Sequence, residues 1–145
     1  MSRTGLNDVN SAALWWAGPL TVAVAVVLVL ATRVVAFALL DLPAAFPPLT
    51  PGGLTFFTVV GVGLGVLAFA GVAMYSSTPI PTYRKIALVV LALSMIPDLW
   101  LPGNVPGATW PVAMVLMVTH VAAWAPTVFI LTNPALIAAR SMRRV

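Results

Sequence analysis

Cysteine is absent from this chain of 145 residues, and charged residues make up only 7% of it, against 61% hydrophobic residues. Without cysteine, a disulfide scaffold, a thiolate metal site and a cysteine nucleophile are excluded. A soluble domain carries roughly a quarter charged residues, so a water-covered surface is excluded as well. Intrinsic disorder requires low hydrophobicity and high charge. The composition therefore predicts an integral membrane protein.

Four apolar runs are long enough to cross a bilayer as helices, which requires about 20 residues each. They are uniformly apolar, whereas strands that cross a membrane alternate in polarity. We therefore predict an all-α, integral membrane four-helix bundle that forms a single transmembrane domain over residues 1–145. The predicted spans are 13–40, 54–75, 84–101 and 110–131, and a short basic tail follows at 134–145.

The basic residues predict how the chain is oriented. Arg84 and Lys85 lie between the second and third spans, and three arginines lie in the tail, whereas the other two connections contain no lysine or arginine. By the positive-inside rule, both termini are cytoplasmic. We expect a multi-pass protein of a bacterial inner (plasma) membrane. Its partner is then the lipid bilayer, and the basic residues form no nucleic-acid-binding stripe. Aromatic residues mark the predicted boundaries at Trp15, Trp16, Tyr75 and Tyr83 inside and at Trp100 and Trp110 outside.

Three ionisable residues fall inside the predicted spans, namely Arg33, Asp98 and His120. Such a residue costs at least about 2.5–3.5 kcal/mol and is normally partnered or functional. The helical rise places Arg33 about 12 Å, Asp98 about 4–6 Å and His120 about 15 Å from the outer ends of their helices. Helical side chains tilt toward the N-terminus of their own helix, which brings the three together. With Ser94, one turn before Asp98, they predict a polar cluster that opens outward.

The fourth span carries one continuous stripe of residues at helical spacing, Ala113, Met117, His120, Trp124 and Thr127. We predict that part of this stripe and the polar cluster form one ligand-binding site, and we predict no catalytic residue, no metal ligand and no cofactor. The predicted ligand-binding residues are Arg33, Ser94, Asp98, Met117, His120 and Trp124.

Simpler interpretations of these residues stay open. Arg33 pairs with Asp98 or Asp41 and only holds helices together. Asp98 borders a loop in headgroup water, and His120 only hydrogen-bonds between helices. The methionine and tryptophan of the stripe are packing residues.

Small residues in the second span predict close packing. Gly61 and Gly65 form a small-xxx-small pair, which marks helix contact within the bundle or in a homodimer. In the fourth span, Pro126 predicts a kink.

Two short segments in this chain of four predicted helices are similar to those of a known family, namely Ser94-Met-Ile-Pro97 and Met117-Val-Thr-His120-Val-Ala-Ala. The chain resembles an uncharacterised family, a domain of unknown function, of small four-helix bacterial integral membrane proteins that are common in actinobacteria and Chloroflexi. The resemblance implies the fold and the membrane placement, and it implies no activity. Asp98 stands where we expect a neutral residue, so no charged role is carried over to it.

The first hypothesis for function is a non-enzymatic protein, either an accessory subunit of a membrane complex or a binder of a small apolar or amphipathic ligand in an outward-facing cavity. The alternative is a small transporter or proton-coupled permease that acts as a dimer, in which Asp98 and His120 titrate and Arg33 is the counter-ion. A further alternative is a pigment or haem protein with His120 as axial ligand. An enzyme ranks last, because no paired carboxylates and no oriented nucleophile are recognisable.

Overall fold

A computed structural model describes residues 11–133 of the chain. In this part, four segments are long and apolar enough to cross a membrane, namely Ala13–Leu39, Pro51–Tyr75, Pro79–Trp100 and Trp110–Leu131. The predicted all-α class and the four long apolar helices are confirmed, and residues 11–133 contain no strand. The predicted basic tail at 134–145 lies outside the described residues. The helices are α1 (Ser11–Leu39), α2 (Pro51–Tyr75), α3 (Pro79–Ser94), α4 (Ile96–Trp100) and α5 (Trp110–Leu131), with a 3-10 turn at Pro47–Leu49.

The third segment begins earlier than predicted and consists of two helices. It begins at Pro79 rather than at residue 84, because proline in the first helical turn lacks only an N–H that would have no partner there. It breaks at Met95, since Pro97 cannot donate a helical hydrogen bond and its ring clashes with the carbonyl four residues earlier. By contrast, α5 continues unbroken through Pro126.

One half of the bundle is tightly packed, and we call it the closed unit, formed by α1, α2 and α5. The face of α1 that packs there carries small buried residues at every fourth position, and small residues allow helices to approach closely. Where α1 crosses α2, a Cβ atom on Gly18 would lie 3.0 Å from Cγ1 of Val66, so a larger residue fits only if the Val66 side chain moves. The buried small residues of α1 are Ala13, Ala17, Thr21 and Ala25.

The α3–α4 segment lies outside the closed unit and is the least buried of the four long segments. Near the α2–α3 turn, the Tyr83 hydroxyl donates a hydrogen bond to the Gly65 carbonyl at 3.1 Å, and the Tyr83 ring packs edge-on against Phe69. Nearby, Nε of Arg84 donates to the hydroxyl of Thr132 at 2.9 Å, just beyond the end of α5. These contacts attach α3 firmly at this end of the bundle, which we call the turn end.

The opposite end of the bundle, the loop end, carries the connections at residues 40–50 and 101–109. These connections pack against each other and against α1 and α5 in one hydrophobic cluster, in which Phe46, Leu49 and Ala108 are buried. The loop end is therefore covered by ordered chain rather than by free loops.

Candidate functional site

A groove of about 600 Å³ separates α2 from α3 and α4, and α5 forms its floor. Small-molecule sites have volumes in this range. Each wall carries an inner row of residues that face the floor and an outer row at the rim. The inner rows are Leu54, Thr58, Val62 and Gly65 on α2, and Tyr83, Ala87, Leu91, Ser94 and Asp98 on α3 and α4. The outer rows are Phe57, Gly61 and Ala68 on α2, and Ile86, Val90 and Pro97 on α3 and α4.

The groove opens along its side, between the two outer rows. All six outer-row residues are exposed and apolar, with Phe57 64% exposed and Val90 56% exposed, whereas Leu54 at the loop end is buried. Ala68 follows Leu54 by 14 residues, so the α2 wall is about 21 Å long. The predicted site opens toward the outer surface of the membrane, whereas this groove opens sideways between α2 and α3. The loop end is covered by packed chain, so the space between the two helices is the wide opening.

Asp98 and His120 meet across the groove, from α4 and α5. Oδ2 of Asp98 lies 3.0 Å from Nδ1 of His120, and Asp98 is only 6% exposed. The same Nδ1 lies 2.9 Å from the carbonyl oxygen of Leu116, one turn earlier on α5. Since both neighbours are hydrogen-bond acceptors, Nδ1 carries a proton. The Nδ1–H bond is aligned with the carbonyl, so within residues 11–133 Oδ2 lies in contact with the imidazole but receives no aligned hydrogen bond.

This polar pair lies near the loop end, and the rest of the groove is apolar in character. Asp98 is three residues before Leu101, the last groove residue of that wall, and fifteen residues, or about 22 Å, after Tyr83 at the other end. Three hydroxyls along the groove already donate to carbonyls of their own helices at 2.7 Å, those of Ser94, Thr119 and Thr127. The groove is therefore amphipathic along its length.

The predicted stripe on α5 lines the groove only in part. Ala113 is buried and Met117 is half-buried, and neither lines the groove, whereas His120, Trp124 and Thr127 do. The other α5 residues that line it are Leu116, Thr119 and Ala123. Trp124 does line it, and its indole Nε1 is buried without a hydrogen-bond partner among residues 11–133. Four of the predicted ligand-binding residues thus come together at the groove, namely Ser94, Asp98, His120 and Trp124.

Arg33 lies outside the groove, and its predicted pairing with Asp98 or Asp41 is wrong. Its Nε donates a hydrogen bond to the carbonyl oxygen of Leu49 at 2.7 Å, and its guanidinium lies 4.2 Å above the ring of Phe37. Within residues 11–133, Arg33 forms no ion pair. The physical reason is the path of the chain, which returns after α1 and presents a backbone carbonyl to the guanidinium.

The sequence did not indicate the part that Tyr83 and Gly61 have in the groove. Tyr83, assigned to the membrane boundary, is buried and closes the groove at the turn end. For Gly65 the predicted close contact is confirmed, because a Cβ atom there would lie 3.1 Å from Cγ2 of Thr127. For Gly61 the predicted close contact is wrong within this chain, since a Cβ atom there would have nothing within 4 Å. The missing side chain widens the groove instead. The helical spacing from Phe57 to Gly61 was the available signal.

Comparisons with known protein families, with curated proteins and with solved structures found no match for this chain. The resemblance to a family of small bacterial membrane proteins stays a prediction. Within residues 11–133, no group of three histidine or acidic side chains is placed to hold a metal ion.

Proposed function

We propose that this protein is a multi-pass protein of a bacterial plasma membrane, with both termini in the cytoplasm, that binds a small amphipathic ligand in the groove without catalysing a reaction on it. One observation carries the proposal, namely a side-opening groove of about 600 Å³ with a wholly apolar exposed rim and a buried carboxylate near one end. The arginine and lysine residues support the orientation, because they avoid the connections at the loop end.

The rim determines the phase from which the ligand comes. Phe57, Ile86 and Val90 are exposed along the opening, and in a membrane such side chains contact lipid tails. The ligand then exchanges with the bilayer rather than with water. In the proposed orientation Asp98 lies toward the outer headgroups and Tyr83 toward the cytoplasmic side. The groove therefore runs from Asp98 to Tyr83 in the direction in which an amphiphile of the outer leaflet lies, with its head at the surface and its chain toward the midplane.

The Asp98–His120 contact also supports a second candidate, a proton-coupled permease acting as a dimer. Two titratable side chains in contact inside a span are typical of proton pathways. The Tyr83–Gly65 hydrogen bond argues for binding over passage, because it closes the groove at the turn end. Proton flux into liposomes that is unchanged in Asp98→Asn and His120→Ala would exclude the permease.

Photolabelling with a matched pair of glycine variants tests the proposed function. The probe is dodecanol with a diazirine in its chain, added to the protein in phosphatidylcholine nanodiscs, and the labelled residues are mapped by mass spectrometry. Gly61 and Gly63 both have open space within 4 Å, but only Gly61 lines the groove. A tryptophan at position 61 fills the groove, whereas one at position 63 does not.

We expect labels on the inner rows of α2 and α3, competed by excess unlabelled dodecanol. The labels should be lost in Gly61→Trp and retained in Gly63→Trp. Labelling that is not competed, that spreads evenly over the outward faces of all helices, or that is equal in the two variants would contradict the proposal.

A further inference from the structure

We propose that the head of the ligand is a primary ammonium group that binds against the Asp98 carboxylate. The site then selects long-chain amines over alcohols and carboxylic acids of the same length. This inference rests on the proposed function, since it names the chemical class of the ligand that occupies the groove.

The Asp98 carboxylate is incompletely hydrogen-bonded within the described residues. An ionised carboxylate offers about four acceptor positions on its two oxygens. Within the part of the chain that the structure describes, its one close polar contact is Nδ1 of His120, whose N–H bond is aligned with the Leu116 carbonyl. A carboxylate that is 6% exposed therefore lines the groove with acceptor positions unfilled, which is unfavourable unless a donor arrives.

The basic side chains of the described residues lie away from the groove. Arg33 is bound to the Leu49 carbonyl outside the groove, and Arg84 is bound to Thr132 beyond the end of α5. Lys85, next to Arg84, is exposed at the same turn end. Among residues 13–133, no lysine or arginine lines the groove. His120, which touches Asp98, is a cation only when it is protonated, so beside a neutral His120 the cation for Asp98 comes from the ligand.

A primary ammonium head complements the Asp98 end of the groove in charge and in hydrogen bonding. A primary ammonium group has three N–H donors, a full positive charge and no acceptor, so it complements a cluster of acceptors. A carboxylate head would be repelled by Asp98, and an alcohol has only one donor and no charge. The apolar groove that continues for about 22 Å from Asp98 to Tyr83 accommodates an alkyl chain. Charge and length together therefore favour a long-chain amine.

The experiment compares probes that differ only in their heads. Diazirine-bearing dodecylamine, dodecanol and dodecanoic acid are titrated onto the full chain in the same nanodiscs, and the concentration for half-maximal competed labelling is measured. The amount of each probe in the bilayer is measured and binding is expressed per mole fraction of probe in the lipid, so differences in partition between the heads do not enter the comparison. We expect the amine to bind at least about tenfold more tightly than the alcohol, the factor typical of a hydrogen bond to a charged group. The acid should bind most weakly.

Two carboxylate variants locate the selection. Asp98→Asn should remove the advantage of the amine. Asp41→Asn is the matched control, because Asp41 is an exposed carboxylate at the same end of the bundle and outside the groove. It should keep the advantage. On the wild-type protein, a trimethylammonium head of equal charge but without an N–H donor should bind more weakly than the primary amine, a test that needs no folded variant.

Several results would overturn the inference. Equal labelling by the three probes, or an amine preference that survives in Asp98→Asn, would mean that Asp98 does not select the head of the ligand. Equal binding of the trimethylammonium head would exclude hydrogen-bond donation. A preference for alcohol or acid that is lost in Trp124→Phe would assign an acceptor head to the indole N–H. If no probe gives competed labelling, the proposed function itself fails.

Discussion

The two sides of α2 differ in how they meet their neighbours, although a glycine lies at both interfaces, Gly18 of α1 at one and Gly61 of α2 at the other. Toward α1, a Cβ atom on Gly18 would lie 3.0 Å from Val66, so the glycine permits contact. Toward α3, Gly61 has nothing within 4 Å and leaves an open groove. Glycine in an apolar helix therefore marks either a close approach or a space, and only the opposing helix decides which.

Two charged residues of the spans, Arg33 and Asp98, follow the same division. Arg33 belongs to the closed unit, where the Leu49 carbonyl and the ring of Phe37 satisfy it. Asp98 belongs to the open side, where it lines the groove and keeps acceptor positions unfilled. The first charge stabilises the fold, and the second is available to a ligand. Three substitutions test this division.

Arg33→Met should have the largest effect on stability. It removes a hydrogen bond from a charged donor to the Leu49 carbonyl, which contributes about 1.5–3 kcal/mol to the free energy of unfolding. Denaturant unfolding in detergent measures the loss, and Arg84→Met, at an exposed position, should lose less. Photolabelling of the groove should not change. If labelling falls in parallel with stability, Arg33 belongs to the site and the division is wrong.

Gly18→Leu and Gly61→Leu compare the two sides of α2 directly. The leucine at position 18 meets Val66 and should lower the free energy of unfolding by about 1–3 kcal/mol, as overpacking does. The leucine at position 61 enters the groove and should leave the stability near that of wild type or raise it, since leucine favours helix over glycine. Equal losses in the two variants would show that α3 closes on α2.

Tyr83→Phe should have the smallest effect. It removes the hydrogen bond to the Gly65 carbonyl but keeps the edge-on contact with Phe69, so we expect a loss of about 0.5–1.5 kcal/mol. Tyr75→Phe is the control, because Tyr75 is 88% exposed and should not change the melting temperature. An unchanged melting temperature in Tyr83→Phe as well would mean that the turn end is not fixed by this hydrogen bond.

The sequence predicted the features that depend on local order along a helix. Uniformly apolar runs predicted four long helices, and the tilt and depth of side chains on antiparallel helices brought Asp98 and His120 together. The break in the third segment was not predicted. The apolar run indicated one span over 84–101, and propensity alone did not indicate that the helix would begin at Pro79 and divide at Met95.

Features that depend on distant segments were not predictable from the sequence. The partner of Arg33 is a backbone carbonyl sixteen residues away, and any residue at position 49 supplies one. A periodicity of 3.6 residues indicates an apolar or polar face but does not fix helix rotation, so the predicted stripe included Met117, which does not line the groove, and omitted Leu116, which does. Whether a glycine faces contact or space depends on the opposing helix.

The most direct test of the groove as a site for a bilayer amphiphile is a set of intermolecular nuclear Overhauser effects in nanodiscs. Dodecylamine is added to methyl-labelled protein in deuterated lipid, and contacts from its alkyl protons are assigned. We predict contacts to the methyl groups of Val62 and Leu91 inside the groove that are lost in Gly61→Trp and kept in Gly63→Trp. Contacts spread equally over groove methyl groups and outward ones such as Val27 and Val34 on α1, unchanged by either variant, would contradict it.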